Sequence, residues 1–235
     1  MKFTYADELS KKTDSGDKMR TISIKGTGKA KRDPDLVIFD ISTSAQSEVY
    51  ADSVVKSNRL VNKLKQAFED MGFKKDDLKT VNYHTRPVYE YVEVGVVNKR
   101  SKRELECFEV SHDLKIEFDL DNDKINEVLN CLKDFRNGVD FNIRFSVKDK
   151  DSMKRDVILD ATKNARTNAE ILAEASSVRL GDLIKIEYNW SDFHFYSIAD
   201  YDCCMDVSKE YSPYMEFTPD SIEISDNVSF VWEIK

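Results

Sequence analysis

Apolar and polar residues alternate along Thr21-Ile22-Ser23-Ile24, the period of a half-buried strand. Gly26-Thr27-Gly28 follows and is expected to form a turn or bulge, and Asp33-Pro34-Asp35 marks a second turn. Residues 36–44 read as the next strand, with Val37, Phe39 and Ile41 on one side. From about 47 to 71 the period changes: Tyr50, Val54, Val61, Leu64, Phe68 and Met71 are spaced as one stripe of a long helix. Gly72 suits a left-handed stop after it. Residues 78–91 return to strand character, interrupted by Pro87, which predicts an edge position or a bulge because proline cannot donate to a ladder.

Residues 92–102 read as a protruding hairpin whose tip is basic, with Lys99, Arg100, Lys102 and Arg103. A strand over 105–120 alternates through Leu114, Ile116, Phe118 and Leu120. Asp121 or Asn122 can cap a helix carrying Ile125, Val128, Leu129 and Leu132 on one face, and Asn137-Gly138 ends it. Phe141, Ile143, Phe145 and Val147 alternate again. A third helix over 152–176 has Ala161, Ala165, Ala169 and Ala173 at every fourth position, with Leu172 beside them on the inner face. Small side chains there admit a close neighbour. Leu183, Ile184 and Ile186 continue as a strand, and Val228, Phe230 and Trp232 alternate in a last strand over 221–234.

These elements predict an α+β fold. Its sheet is mixed and largely antiparallel, built from two strand-helix-strand units over 36–91 and 105–147. The helices pack on one face, and the alanine-rich helix and C-terminal strands complete the chain. Residues 1–19 are expected to be a mobile tail and 20–235 a single domain. Residues 190–219 have no period and are long for a structureless connection.

Composition narrows the partners. With 36 Lys and Arg against 44 Asp and Glu, the net charge is −8. That balance argues against nucleic acid, whose phosphates select clustered cations. The polar N-terminus lacks the apolar stretch of a secretory signal, and no apolar run is long enough to span a bilayer. The reading from sequence is therefore a cytoplasmic protein with no membrane insertion.

Several of these segments are similar to one family. Thr21 to Gly28 followed by Asp33-Pro34-Asp35 resembles the opening of SIMPL domains. Leu78 to Tyr83 with Pro87 and Tyr89, and Phe108-Glu109-Val110-Ser111, resemble its next strands. The closest likeness is Ala161, Ala165-Arg166, Ala169 and Leu172-Ala173, followed by Leu180-Gly181. The chain is identified over nearly all of 20–235 as resembling this family. The resemblance implies no catalytic residues, since the family has none agreed. It associates members with oxidative-stress defence, the bacterial envelope, signalling partners and oligomers, many of them with a secretion signal.

Candidate chemistry is sparse. Gly26-x-Gly28 lacks the third glycine and the following helix of a dinucleotide loop. His84, His112 and His194 lie on separate segments, without the local ligand pairs of a zinc site, so no metal and no cofactor is expected. Cys203-Cys204 stands beside Asp202 and Asp206, acids that disfavour a thiolate. The segment 190–219 is rich in aromatics: Trp190, Phe193, Phe195, Tyr196, Tyr201, Tyr211, Tyr214 and Phe217. Aromatics concentrate at interfaces, so these form the candidate contact surface, and the basic hairpin tip a second one. The alternative is that the aromatics cover the chain's own sheet. The functional expectation is a non-enzymatic, self-associating interaction protein linked to stress response, a homo-oligomer that also meets protein partners. The competing expectation is a ligand-binding or redox-responsive protein with a pocket under 190–219.

Overall fold

The computed structural model describes residues 20–94, 100–135, 138–189, 192–198 and 214–235. In chain order the elements are β1 (Thr21–Arg32), β2 (Leu36–Ser47), α1 (Tyr50–Asp70), β3 (Lys79–Val94), β4 (Arg100–Asp119), α2 (Asn122–Lys133), β5 (Val139–Ser146), α3 (Lys150–Ala175), β6 (Leu180–Glu187), β7 (Ser197–Ile198) and β8 (Ile222–Ile234). The α+β class stands. The strands divide between two sheets instead of forming one, and the chain falls into two compact units.

The unit holding 31–150 and 195–222 carries the sheet β3-β4-β2-β5-β7. β2 and β3 both pair antiparallel with β4, so they run parallel to each other and α1 makes the crossover. β4 and β5 both flank β2 in the same way, with α2 between them. The two sequence-legible strand-helix-strand units thus interleave in one sheet, a β-α-β-β-α-β arrangement of the ferredoxin-like kind. Alternation in β2, β4 and β5 sends Val37, Phe39, Ile41, Leu114, Ile116, Phe118, Ile143 and Phe145 to the face covered by both helices.

Local signals set the ends of these helices. The Asp121 carboxylate accepts from the backbone N–H groups of Asp123 (2.9 Å) and Lys124 (3.3 Å), capping α2. Gly72, at φ +90°, ends the α1 turn while Phe73 N–H donates to Phe68 O. The buried face of α1 differs from the expected stripe. Ser53 and Ser57 occupy its first half, ahead of Val61, Leu64 and Phe68. Tyr50 remains half exposed and meets Phe108 edge-on at 5.8 Å. Pro87 lies on an edge strand, next to a register shift between Val88 and Tyr89, as its missing donor requires.

The other unit, residues up to Ala30 with 151–194 and 223–235, carries the sheet β1-β8-β6 and the helix α3. Ile224, Val228, Phe230 and Trp232 of β8 and Ile24 of β1 are buried, and Val228, Phe230, Trp232 and Ile24 cluster with Ala161, Ala165 and Ala169. The glycines are not in a turn. They lie inside β1, where a Cβ on Gly28 would come within 2.0 Å of Val157 O, and one on Gly26 within 2.1 Å of Ala161 O. Glycine on the strand and alanine on the helix therefore form one contact of backbone against backbone. The closeness lets α3 reach the free edge of β1: Asn164 accepts from Thr27 N–H (3.2 Å) and Asp160 from Lys29 N–H (2.9 Å). The expected strand through Leu183, Ile184 and Ile186 is present as β6, while the placing of Leu172 on the inner face of α3 fails. Leu172 is exposed, because the alanine stripe already fills the inner face of α3, and Leu183, Ile184 and Ile186 are exposed on the edge strand β6.

Candidate functional site

Pairing between β2 and β4 stops at Ser47 opposite Phe108, whereas β3 and β4 continue to Val94 opposite Arg100. Beyond that point the hairpin is a two-stranded ribbon, about 20 Å long at the usual strand rise. A bulge opens it: Val88 faces Cys107 and Tyr89 faces Leu105, so Glu106 is the extra residue. Tyr89, Leu105 and Tyr91 are exposed, Tyr91 to 72%. The Arg103 guanidinium lies over the Tyr89 ring at 3.9 Å. Glu90 is opposite Glu104, a like-charge placement that a strand pair does not favour. Of the expected basic tip, Arg100, Lys102 and Arg103 belong to β4, and Lys99 lies outside the described residues.

The aromatic segment is divided. Trp190, Tyr201 and Tyr211, with Cys203 and Cys204, lie outside the described residues. Phe193 is half-buried. Phe195 is buried, and its carbonyl accepts from the Ser146 hydroxyl at 2.8 Å. Phe217 packs on Phe145 with ring centroids 5.9 Å apart. Tyr196 and Tyr214 are exposed. Arg144 lies over the Tyr196 ring at 4.3 Å while its guanidinium forks onto both Asp40 carboxylate oxygens, a bond that holds its proton more firmly than usual. The Tyr214 hydroxyl donates to Asp123.

Sequence reading missed what pins this segment. Asn122 and Asn126, one turn apart on α2, each use both ends of the side-chain amide. Asn126 accepts from Met215 N–H (2.9 Å) and donates to Met215 O (2.8 Å); Asn122 does the same with Phe217 at 2.9 and 3.3 Å. The signal was an i, i+4 asparagine pair flanking an apolar stripe, a spacing that offers two ladder partners to an extended strand.

The remaining candidates stay apart. His84 is hydrogen-bonded to Asn82, His194 is exposed, and both ring nitrogens of His112 are buried without a partner. Burial pushes the His112 imidazole below its ordinary range, helped by Lys65 and opposed by Asp113. Its ring meets Tyr83 edge-on at 4.7 Å. Among the described residues no group of three His, Cys, Asp or Glu side chains converges as a metal site. Burial raises the thiols of Cys107 and Cys131 above their usual range, with nearby acids adding to the effect. No helix of the described residues is long and apolar enough to cross a membrane.

The chain is similar to the "26 kDa periplasmic immunogenic protein" of Brucella melitensis biotype 1, 26% identical over 177 residues that make up 70% of this chain and 65% of that protein. The protein of the same name from Brucella abortus strain S19 matches with the same identity and coverage. The chain thus spans a little under two thirds of these relatives. The periplasmic location in these relatives' names overturns the cytoplasmic expectation, which rested on the polar composition of residues 1–20, a poor witness to where a domain works. The SIMPL model, described as a protein of unknown function (DUF541), matches residues 22–232, and the chain belongs to that family.

Proposed function

We propose that this chain is a non-enzymatic, self-associating interaction protein working in a periplasmic setting. The observation that carries the reading is the apolar surface on the β3–β4 ribbon, where Tyr89, Tyr91 and Leu105 stand in water on strands with no third neighbour among the described residues. A hairpin of two strands is marginal alone and gains from a further strand or a covering face. Exposed apolar area carries a penalty of roughly 25 cal/mol per Å², and a symmetric assembly of identical chains is the commonest way to remove it. The periplasmic setting is supported by the names of the Brucella relatives.

The test is the molar mass of the wild-type chain by light scattering over a wide concentration range, beside a Tyr89→Ser/Tyr91→Ser variant. The expected result is an oligomer whose mass falls in the variant while the far-UV dichroism is kept. A wild-type chain that stays monomeric at the highest concentration rejects the proposal.

A further inference from the structure

Helices α2 and α3 each hold an extended strand through two short polar side chains four residues apart. On α2, Asn122 and Asn126 bond the backbone of Phe217 and Met215. On α3, Asp160 and Asn164 accept from the backbone N–H groups of Lys29 and Thr27. The match is geometric: four residues of helix rise about 6 Å, and two residues of strand about 6.6–6.8 Å. In both cases the strand runs against the helix. α1 carries the same spacing in Asn58 and Asn62. Both are exposed, and neither side chain is hydrogen-bonded among the described residues. Asparagine is a poor helix former in interior turns, so the pair weakens α1 as long as nothing binds it. We infer that Asn58 and Asn62 read the backbone of an extended, acidic segment of a partner protein, docked along the flank of α1 over Tyr83. This is independent of the self-association reading.

The flank is fixed by its neighbours. Lys65, about 20° from Asn58 around the helix, lies close enough to His112 to disfavour its proton. His112 faces Tyr83 of β3. Leu60 marks the other flank, since a Cβ on Gly138, next to β5, would meet its Cδ2 at 3.8 Å. The height agrees as well. Tyr50 meets Phe108, and Asn58 stands about 12 Å further along α1, the rise of three to four strand residues, which reaches His112 and Tyr83. α1 is the return crossing between the parallel strands β2 and β3, so a segment running against α1 follows the direction of β3.

The segment already held by α2 shows what chemistry fits. Residues 214–217 alternate: Met215 and Phe217 turn to the core, while Tyr214 and Glu216 are exposed. On α1 the floor offered to such alternate apolar side chains is Tyr83, 45% exposed. Charge then selects among extended segments. Residues 56–65 contain Lys56, Arg59, Lys63 and Lys65 and no acid. The two amides donate and accept whatever the sequence they meet, the tyrosine takes an apolar side chain, and the cations favour carboxylates between the apolar positions.

The experiment follows the backbone amide resonances of the full chain as a capped peptide is added. The peptide has the sequence of residues 214–220, which includes the carboxylates of Glu216 and Asp220 and takes the required form on α2. Saturable shifts are expected along α1 and over 79–85. Asn58→Ala/Asn62→Ala is expected to weaken binding at least tenfold with its far-UV dichroism kept, alanine being the better helix former. Tyr83→Ser, the Glu216→Lys/Asp220→Lys peptide and raised salt should each weaken it too. The absence of saturable shifts at millimolar peptide overturns the site, and so does binding that Asn58→Ala/Asn62→Ala leaves unchanged. Shifts confined to α2 and β5, and lost in Asn122→Ala/Asn126→Ala, show the peptide exchanging with the chain's own segment and overturn it equally. The mass measured by light scattering decides self-association separately from all of these results.

Discussion

Replacing Gly28 by alanine adds one methyl group where the sheet and α3 have no room for it. The new Cβ would lie 2.0 Å from Val157 O, 2.5 Å from Ala161 N and 2.9 Å from Ala161 Cβ. Carbon atoms in good contact sit about 3.5–4.0 Å apart, so strand and helix must separate by roughly 1 Å or more. Two of the three obstacles are backbone, which cannot rotate away as a side chain can. Separation also loosens Ala161, Ala165 and Ala169, all fully buried, and the edge hydrogen bonds from Lys29 to Asp160 and Thr27 to Asn164. Overpacking of this kind costs about 1–3 kcal/mol, and a rigid obstacle places it at the upper end. The smaller conformational freedom of alanine in the unfolded chain returns about 0.4–1 kcal/mol. The net loss is then about 2 kcal/mol, or a fall in Tm of about 4–8 °C for a chain of this size. The assay is thermal unfolding followed by circular dichroism, with two comparisons. Gly28→Ala/Ala161→Gly is expected to melt at or below Gly28→Ala, since trimming the Ala161 methyl leaves the contact with Val157 O untouched and a glycine inside α3 costs about 1 kcal/mol more. Gly72→Ala meets nothing within 4 Å but has φ +90°, and should lose about 1–2 kcal/mol through its backbone conformation alone. A Gly28→Ala chain that melts at or above the wild-type temperature refutes the close contact between β1 and α3.

Two further expectations concern protons. The Tyr188 hydroxyl donates to Asp226 at 2.8 Å, and burial together with that carboxylate pushes its pKa up to about 12. The unfolded chain ionises first, near the ordinary value of about 10, so stability falls as pH rises from that value towards 12. Ultraviolet titration of the native protein should lose a late-ionising tyrosine in Tyr188→Phe, and an unchanged titration curve contradicts the buried pair. His112 works in the opposite direction: its folded pKa is lowered, so the unfolded state takes the proton first and stability is lost as pH falls through about 6.5 towards the folded value. His112→Phe, which keeps an aromatic ring beside Tyr83, should flatten the decline of the melting temperature between neutral and mildly acidic pH. An equally steep decline in the variant assigns the acid sensitivity to other groups.

Much of the local structure follows from short stretches of chain. Alternation in 36–44 and 105–120 and the stripe through Val61, Leu64 and Phe68 specify strand or helix, because periods of 2 and 3.6 residues are properties of the backbone itself. Asp121 as a cap, Gly72 as a stop and Pro87 on an edge are equally local, each set by what one residue's side chain or φ permits. The alanine stripe announced a close neighbour without naming it. That the neighbour is Gly26 and Gly28, more than 130 positions away, is decided by β1 pairing with β8, a choice absent from any window of sequence. The same holds for the division into two sheets, for the exposed apolar residues of β6, and for which of the described aromatics Phe193, Phe195, Tyr196, Tyr214 and Phe217 turn inward. Phe195, Tyr196 and Phe217 have similar sequence credentials, yet Ser146, Asn122 and Asn126 hold the backbone so that two rings turn inward and one faces Arg144. The character of a side chain is written in the sequence; its neighbours depend on how distant strands pair, and a pairing free energy is a sum over both strands that neither contains alone.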